Sequence, residues 1–78
     1  MEFETIVLED GIEYAIIREL KINDSIYTLF ANVNDPEDIC YRKTVFKDSE
    51  EYYCGLDDDK EFDLVANTFA KVILEENR

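Results

Sequence analysis

The stretch DDKEFDLVANTFAKVILE, residues 58–75, decides the fold, because here the apolar residues keep helical spacing for several turns. The apolar positions follow the i, i+3, i+4, i+7 pattern of one helix face. They are Phe62, Val65, Ala66, Phe69, Val72 and Ile73. Asp58 stands three residues before Glu61, the spacing of a capping box. The stretch predicts an amphipathic helix that begins at Asp58 and ends at Glu75.

Five β-prone segments precede this helix, separated by turn signals. Asp10-Gly11 and Asn23-Asp24 are typical of tight hairpins, and Pro36 predicts a wider acidic loop over residues 34–38. The predicted strands are residues 3–8, 13–22, 25–33, 39–46 and 51–56. We therefore expect an α+β fold, a five-stranded antiparallel β-meander with one C-terminal α-helix packed on one face (βββββα). Residues 1–78 would form a single small acidic domain, since this length allows one modest core.

The register of the strands predicts which side chains lie under the helix. If Ile22 pairs with Ser25, alternation assigns one face of the sheet to the helix. That face would carry Tyr14, Ile16, Leu20, Ile22, Tyr27, Leu29, Ala31, Val33, Ile39, Tyr41, Val45, Tyr52, Cys54 and Leu56.

The opposite face is less polar than a solvated sheet face, and Ile17 would pair there directly with Phe30. An exposed apolar patch favours a partner-binding surface. Its candidate residues are Ile6, Ala15, Ile17, Ile26, Phe30, Phe46 and Tyr53. The alternative is that scattered apolar residues are screened by long neighbours such as Glu19, Lys21 and Arg42.

The charge balance restricts the kinds of partner. The chain has 20 acidic and 8 basic residues and a net charge of −12. This field disfavours direct nucleic acid binding and anionic membranes, and it favours a protein with a basic surface. The candidate acidic rim consists of Asp35, Glu37, Asp38, Asp57, Asp58 and Asp59. Helix capping, solubility or a weak cation site are alternative roles for these carboxylates, which lack the spacing of a calcium-binding loop.

Little in the sequence indicates chemistry. The absence of histidine excludes Cys–His catalysis and Cys/His zinc sites, and the two glycines, Gly11 and Gly55, are too far apart for a phosphate loop. Cys40 and Cys54 would point to opposite faces, so we expect reduced thiols, with Cys54 in the core. We predict no catalytic residue, cofactor or metal. The N-terminus lacks the pattern of a signal peptide, which favours a cytoplasmic protein.

The order of these features resembles the YrzB-like family of small acidic bacterial proteins, whose domain has no assigned function. The resemblance covers nearly the whole chain. It is carried by residues 6–11 with Glu13, by the Asn23-Asp24 turn before residues 26–30, by the acidic loop, and by residues 57–62 leading into 65–69. It implies a small bacterial, cytosolic α+β domain and assigns no catalytic residue.

Two functions from different classes are consistent with the sequence. The first is a non-enzymatic protein-interaction module that uses the acidic rim and the apolar sheet face, with weak homodimerisation through that face as a further expectation. The alternative is an acidic DNA mimic or regulatory inhibitor that presents its carboxylates to a basic nucleic-acid-binding protein.

Overall fold

The computed structural model describes residues 4–56 and 58–76. Five antiparallel strands form one curled sheet in the order β1-β2-β3-β4-β5, and one helix follows. The elements are β1 (Thr5–Val7), β2 (Glu13–Ile22), β3 (Ser25–Asn32), β4 (Asp35–Lys47), β5 (Glu50–Cys54) and α1 (Asp59–Glu76). The predicted βββββα meander is confirmed. Within the described ranges, no helix is long and apolar enough to cross a membrane.

Two hairpin turns have positive φ at both central residues. Asn23 and Asp24 have φ values of 49° and 68°, and Asp48 and Ser49 have φ values of 52° and 67°. Turns with positive φ at both central positions match the twist of the flanking strands, and Asn and Asp tolerate that conformation. The Asn23-Asp24 turn sets the Ile22–Ser25 pair, as predicted.

The loop predicted over residues 34–38 is wrong. The chain turns at Val33 and Asn34, and β4 begins at Asp35. The register then shifts, because Ala31 pairs with Ile39 while Asn32 pairs with Asp35. Residues 36–38 therefore form a bulge inside β4, which accommodates a proline that has no N–H to donate to the ladder.

A second irregularity lies in the middle of β2. Ile16 pairs with Phe30 and Arg18 with Leu29, so Ile17 is the extra residue of a β-bulge. The predicted Ile17–Phe30 pair is wrong. A bulge exchanges the faces of the residues beyond it, and so Tyr14 lies on the face opposite to the one predicted.

Helix α1 packs on the face of the sheet that carries Tyr27 and Leu29, here called the helix face. Val65 and Phe69 are buried against these two residues. Partly buried side chains complete this core: Leu20, Ile22, Tyr41, Leu56 and Ile73. The helix begins one residue later than predicted because Asp58 is its cap.

Asp58 caps α1 with a side-chain oxygen and with its backbone carbonyl oxygen. Its Oδ1 accepts a hydrogen bond from the Lys60 backbone N–H at 2.9 Å, and its carbonyl accepts from the Phe62 N–H at 2.9 Å. Glu61, the predicted partner in a capping box, instead accepts hydrogen bonds from Tyr27 Oη at 2.6 Å and Lys43 Nζ at 3.4 Å. These bonds join the first turn of α1 to the sheet.

The other side of the sheet, here called the second face, has a core of its own. Leu8, Tyr14 and Phe30 are buried there, with Ile6, Ile16, Cys40 and Tyr53 packed around them. The Phe30 ring meets Tyr53 and Tyr14 edge-on, with centroids 5.2 and 6.3 Å away. The β1–β2 connection closes this core, since Leu8 packs into it and Glu9 forms a 2.9 Å salt bridge with Arg42 of β4.

Candidate protein-interaction site

The predicted partner-binding face does not form one exposed patch. Phe30, its centre, is 0% exposed. Tyr53 and Ile6 pack around Phe30 rather than facing solvent freely. The physical reason is the β2 bulge together with the β1–β2 connection, which bring Tyr14 and Leu8 over the second face. Ile26 is half-buried, and Phe46 is exposed near the end of β4.

The bulge places two other predicted residues, Ala15 and Ile17, in a groove of about 310 Å³. We call it the sheet groove. It is lined by Thr5, Ala15, Ile17, Ala31, Asn32, Val33 and Pro36. The sequence-based prediction did not include this arrangement, because it assumed a β2–β3 register without a bulge.

The sheet groove lies on the helix face, beside the part that α1 covers. Ala31 follows Leu29 by two residues on β3, so both side chains point to the same side. Ala15 pairs with Ala31, and Thr5 pairs with Ala15. Three neighbouring strands therefore contribute small side chains to one row, which forms a shallow floor.

Larger apolar side chains stand around that floor and reach solvent. Ile17 is 36% exposed, Val33 40% and Ile39, the partner of Ala31 on β4, 49%. Contiguous exposed apolar surface on a small protein indicates an interaction site. These residues supply the apolar contacts of the candidate site.

Carboxylates border the groove. Glu13 accepts a hydrogen bond from Thr5 Oγ1 at 2.8 Å, and Asp38 accepts one from Asn32 Nδ2 at 3.2 Å. Asp35 and Glu37 flank Pro36 and are exposed. The lining contains no Lys or Arg. An apolar floor with an acidic border is complementary to an apolar surface that is itself bordered by cations.

The predicted acidic rim is divided between two ends of the molecule. Asp35, Glu37 and Asp38 begin β4, whereas Asp58 and Asp59 begin α1. The start of α1 is anchored at Lys43 through Glu61. Lys43 pairs with Tyr27 and Asp35 with Asn32, and these two β3 residues are five positions, or about 17 Å, apart along the strand. The rim is thus two clusters, of which only the β4 cluster borders the groove; Asp57 lies outside the described residues.

Several of the cations are already paired within the fold. Arg18 is paired with Glu76 at the end of α1, Arg42 with Glu9, and Lys43 with Glu61. Because these pairs hold basic side chains away from the groove, its border stays negative.

A second depression, of about 550 Å³, lies along the β4–β5 hairpin. Its lining includes the charged side chains Lys47 and Asp48 and residues from both faces of β5, Tyr52 and Tyr53. It therefore wraps a sheet edge and lacks the continuous apolar floor of the sheet groove. The sheet groove is the stronger candidate, although it is smaller.

The thiols and phenols offer little reactivity. Cys40 and Cys54 are free, and burial raises the pKa of the Cys40 thiol, which reduces the fraction of nucleophilic thiolate. Cys54 is exposed, so its predicted place in the core is wrong. The hydrogen bond that Tyr14 donates to Asp10, at 2.7 Å, is the main cause that raises the pKa of Tyr14 to about 12.

Metal binding has no evident site in the part of the chain that the structure describes. Across residues 4–56 and 58–76, no group of three Cys, Asp or Glu side chains is arranged to hold a metal ion.

Comparison with known proteins gives a family and no function. No curated protein and no solved structure matches the chain. The family model described as "Protein of unknown function (DUF1292)" matches residues 9–73, which span β2 to β5 and most of α1. That agrees with the resemblance to a family without an assigned function, and on this match the chain belongs to the DUF1292 family.

Proposed function

We propose that this protein is a non-enzymatic protein-interaction module that binds a partner with a basic surface through the sheet groove. The observation that carries the proposal is the combination of an exposed apolar groove with a carboxylate border. Ile17 and Val33 would insert into the apolar surface of the partner, while Glu13, Asp35 and Glu37 would meet its cations. The net charge of −12 opposes self-association, nucleic acids and anionic membranes.

Two kinds of contact make different contributions to such binding. Apolar anchors supply most of the affinity and are insensitive to salt, whereas exposed charge pairs raise the association rate and weaken as salt screens them. A partner held by the groove should therefore lose part of its affinity at high salt and most of it when the anchors are removed.

The experiment compares capture by three immobilised forms of the protein from a bacterial lysate, washed at low and at high salt. They are the wild type, an Ile17→Ser/Val33→Ser variant, and the control Phe46→Ser. Phe46 is a matched control because it is 65% exposed and apolar but does not line the groove. A captured protein is identified by mass spectrometry, purified and titrated into isotope-labelled protein for NMR.

We expect the wild type and Phe46→Ser to retain a partner through the high-salt wash, and the double variant to lose it. Its titration should shift the amide resonances of Ala15 and Ala31. Partners captured equally by all three forms would contradict the proposal. If these partners were released by salt, the carboxylate-presenting DNA mimic would become the better explanation.

A further inference from the structure

We infer that the occupant of the sheet groove is one amphipathic α-helix with a basic outer side, which lies beside α1 on the helix face. This inference rests on the proposed function and names the structural class of the partner segment.

Helix α1 covers only part of the helix face. Glu61 in its first turn bonds Tyr27 and Lys43, and Glu76 in its last turn pairs with Arg18. The helix is thus attached to the sheet between Lys43 and the row of Arg18 and its partner Leu29.

Beyond that row, the helix face continues toward the β3–β4 turn. It carries the row of Ala15 and Ala31, and then Glu13 and Val33. At about 3.3 Å per residue, four residues of strand extend about 13 Å. A helix with its side chains is about 10–12 Å wide. This length is similar to the width of one helix; within it Ala31 is 8% exposed at the bottom of the groove, and Val33 is 40% exposed.

One flank of α1 faces this space. Phe62, Ala66 and Ala70 follow one another at i, i+4 and i+8, so they form one stripe along the helix. The Phe62 ring contacts Tyr41 at 5.7 Å between centroids. Tyr41 lies two residues from Ile39 on β4, on the side toward the groove, whereas Glu61 reaches the more distant Lys43.

Small side chains on this flank permit a close helix neighbour. Ala66 and Ala70 protrude little from α1, and Ala15 and Ala31 protrude little from the sheet. Packed helices have axes about 8–10 Å apart, and small contact residues allow the shorter distances. A second helix could therefore touch α1 and the sheet together, with its apolar side chains among Ile17, Val33 and Phe62, which are 36–45% exposed.

Charge decides between a foreign helix and a second copy of this chain. The groove is bordered by Glu13, Asp35, Glu37 and Asp38. A second copy carries a net charge of −12, and the helix it could offer, α1, has acidic residues at both ends. Like charges across an interface disfavour association. A helix whose solvent side is rich in Lys or Arg is complementary to the same border.

The test uses three synthetic peptides of identical Leu/Lys composition, about 16 residues or about 24 Å long as helices. In the first, leucines follow the i, i+3, i+4, i+7 pattern. The second alternates Leu and Lys and favours an extended strand. The third is scrambled. Affinity for the full protein is measured by fluorescence anisotropy at low and high salt, and the contact surface by NMR.

We expect the helical peptide to bind about tenfold more tightly than the other two. A tenfold change in affinity is what the loss of one apolar anchor residue causes. Ala15→Leu, which fills the floor of the groove, should reduce that affinity by a similar factor, and Phe46→Ser should leave it unchanged. Amide resonances of Ala31 and Ala70 should both shift, because the helix would touch the sheet and α1 together. Circular dichroism and heteronuclear spectra of Ala15→Leu verify that the variant is folded.

Other outcomes overturn the inference. Equal affinity of the three peptides, removed by salt, would mean that only net charge is recognised. Tighter binding of the alternating peptide would indicate strand addition, and shifts confined to other surfaces would place the helix elsewhere. In each case the proposed function survives if the lysate partner is still lost with Ile17→Ser/Val33→Ser. It fails if that double variant captures its partners as the wild type does.

Discussion

Truncation of Phe30 should destabilise the domain strongly, because the residue is 0% exposed and lies between Tyr14 and Tyr53. Replacing a fully buried Phe by Ala costs about 3–5 kcal/mol through lost burial and the cavity left behind. A domain of 78 residues has a total stability of about 4–12 kcal/mol at 0.05–0.15 kcal/mol per residue. Phe30→Ala should therefore remove a large share of the free energy of unfolding and lower Tm by more than about 12 °C.

The assay is urea unfolding followed by far-ultraviolet circular dichroism, since the chain has no tryptophan to report by fluorescence. Phe46→Ala is the matched control, because Phe46 is 65% exposed and its truncation should change stability by less than about 0.5 kcal/mol. If the free energies of unfolding of the two variants differed by less than about 1 kcal/mol, the second face would be open. The bulge at Ile17 and the closing role of Leu8 would then be refuted.

Three further predictions concern single contacts. The hydrogen bond from Tyr14 to Asp10 raises the pKa of Tyr14 from 10.0, the unfolded value, to about 12. The stability that this bond contributes to the fold is therefore complete below pH 10 and is lost as pH rises toward about 12. Asp10→Asn should lower that pKa in a tyrosinate absorbance titration, and an unchanged value would argue against the bond. Asp58→Ala removes the α1 cap and should cost about 1 kcal/mol in urea unfolding, while no loss would mean that the cap is dispensable. Cys54→Ser should be almost neutral and Cys40→Ser more costly because Cys40 packs in the second-face core; a stability loss on reduction would instead reveal a disulfide.

Much of the fold was predictable because local chemistry specifies it. The turn at Asn23 and Asp24 sets the β2–β3 register at Ile22, and the periodicity of α1 correctly identified Val65 and Phe69 as buried. Each of these features depends on residues close together in the chain.

The candidate site was predictable only in part. Ala15 and Ile17 were predicted on the face opposite the helix, but the bulge at Ile17 puts Ala15 on the helix face, where both residues line the sheet groove. The β4 carboxylates lie at its border. Phe30 was predicted at the centre of the partner-binding face and is instead buried. Val33 lies on the helix face as predicted, but α1 does not cover it, and it forms an exposed wall of the groove.

The sequence by itself determined the elements of this protein, their order, the Asn23-Asp24 turn and the negative charge. Only the tertiary structure decided which side chains of β2 and its neighbours in the sheet became core and which became surface. The reason is that a single extra residue at Ile17 exchanges the faces of the first half of β2, and no local pattern reveals that shift. Through it Tyr14 covers Phe30 on one face, and Ala15 and Ala31 are left as the floor of an open groove on the other.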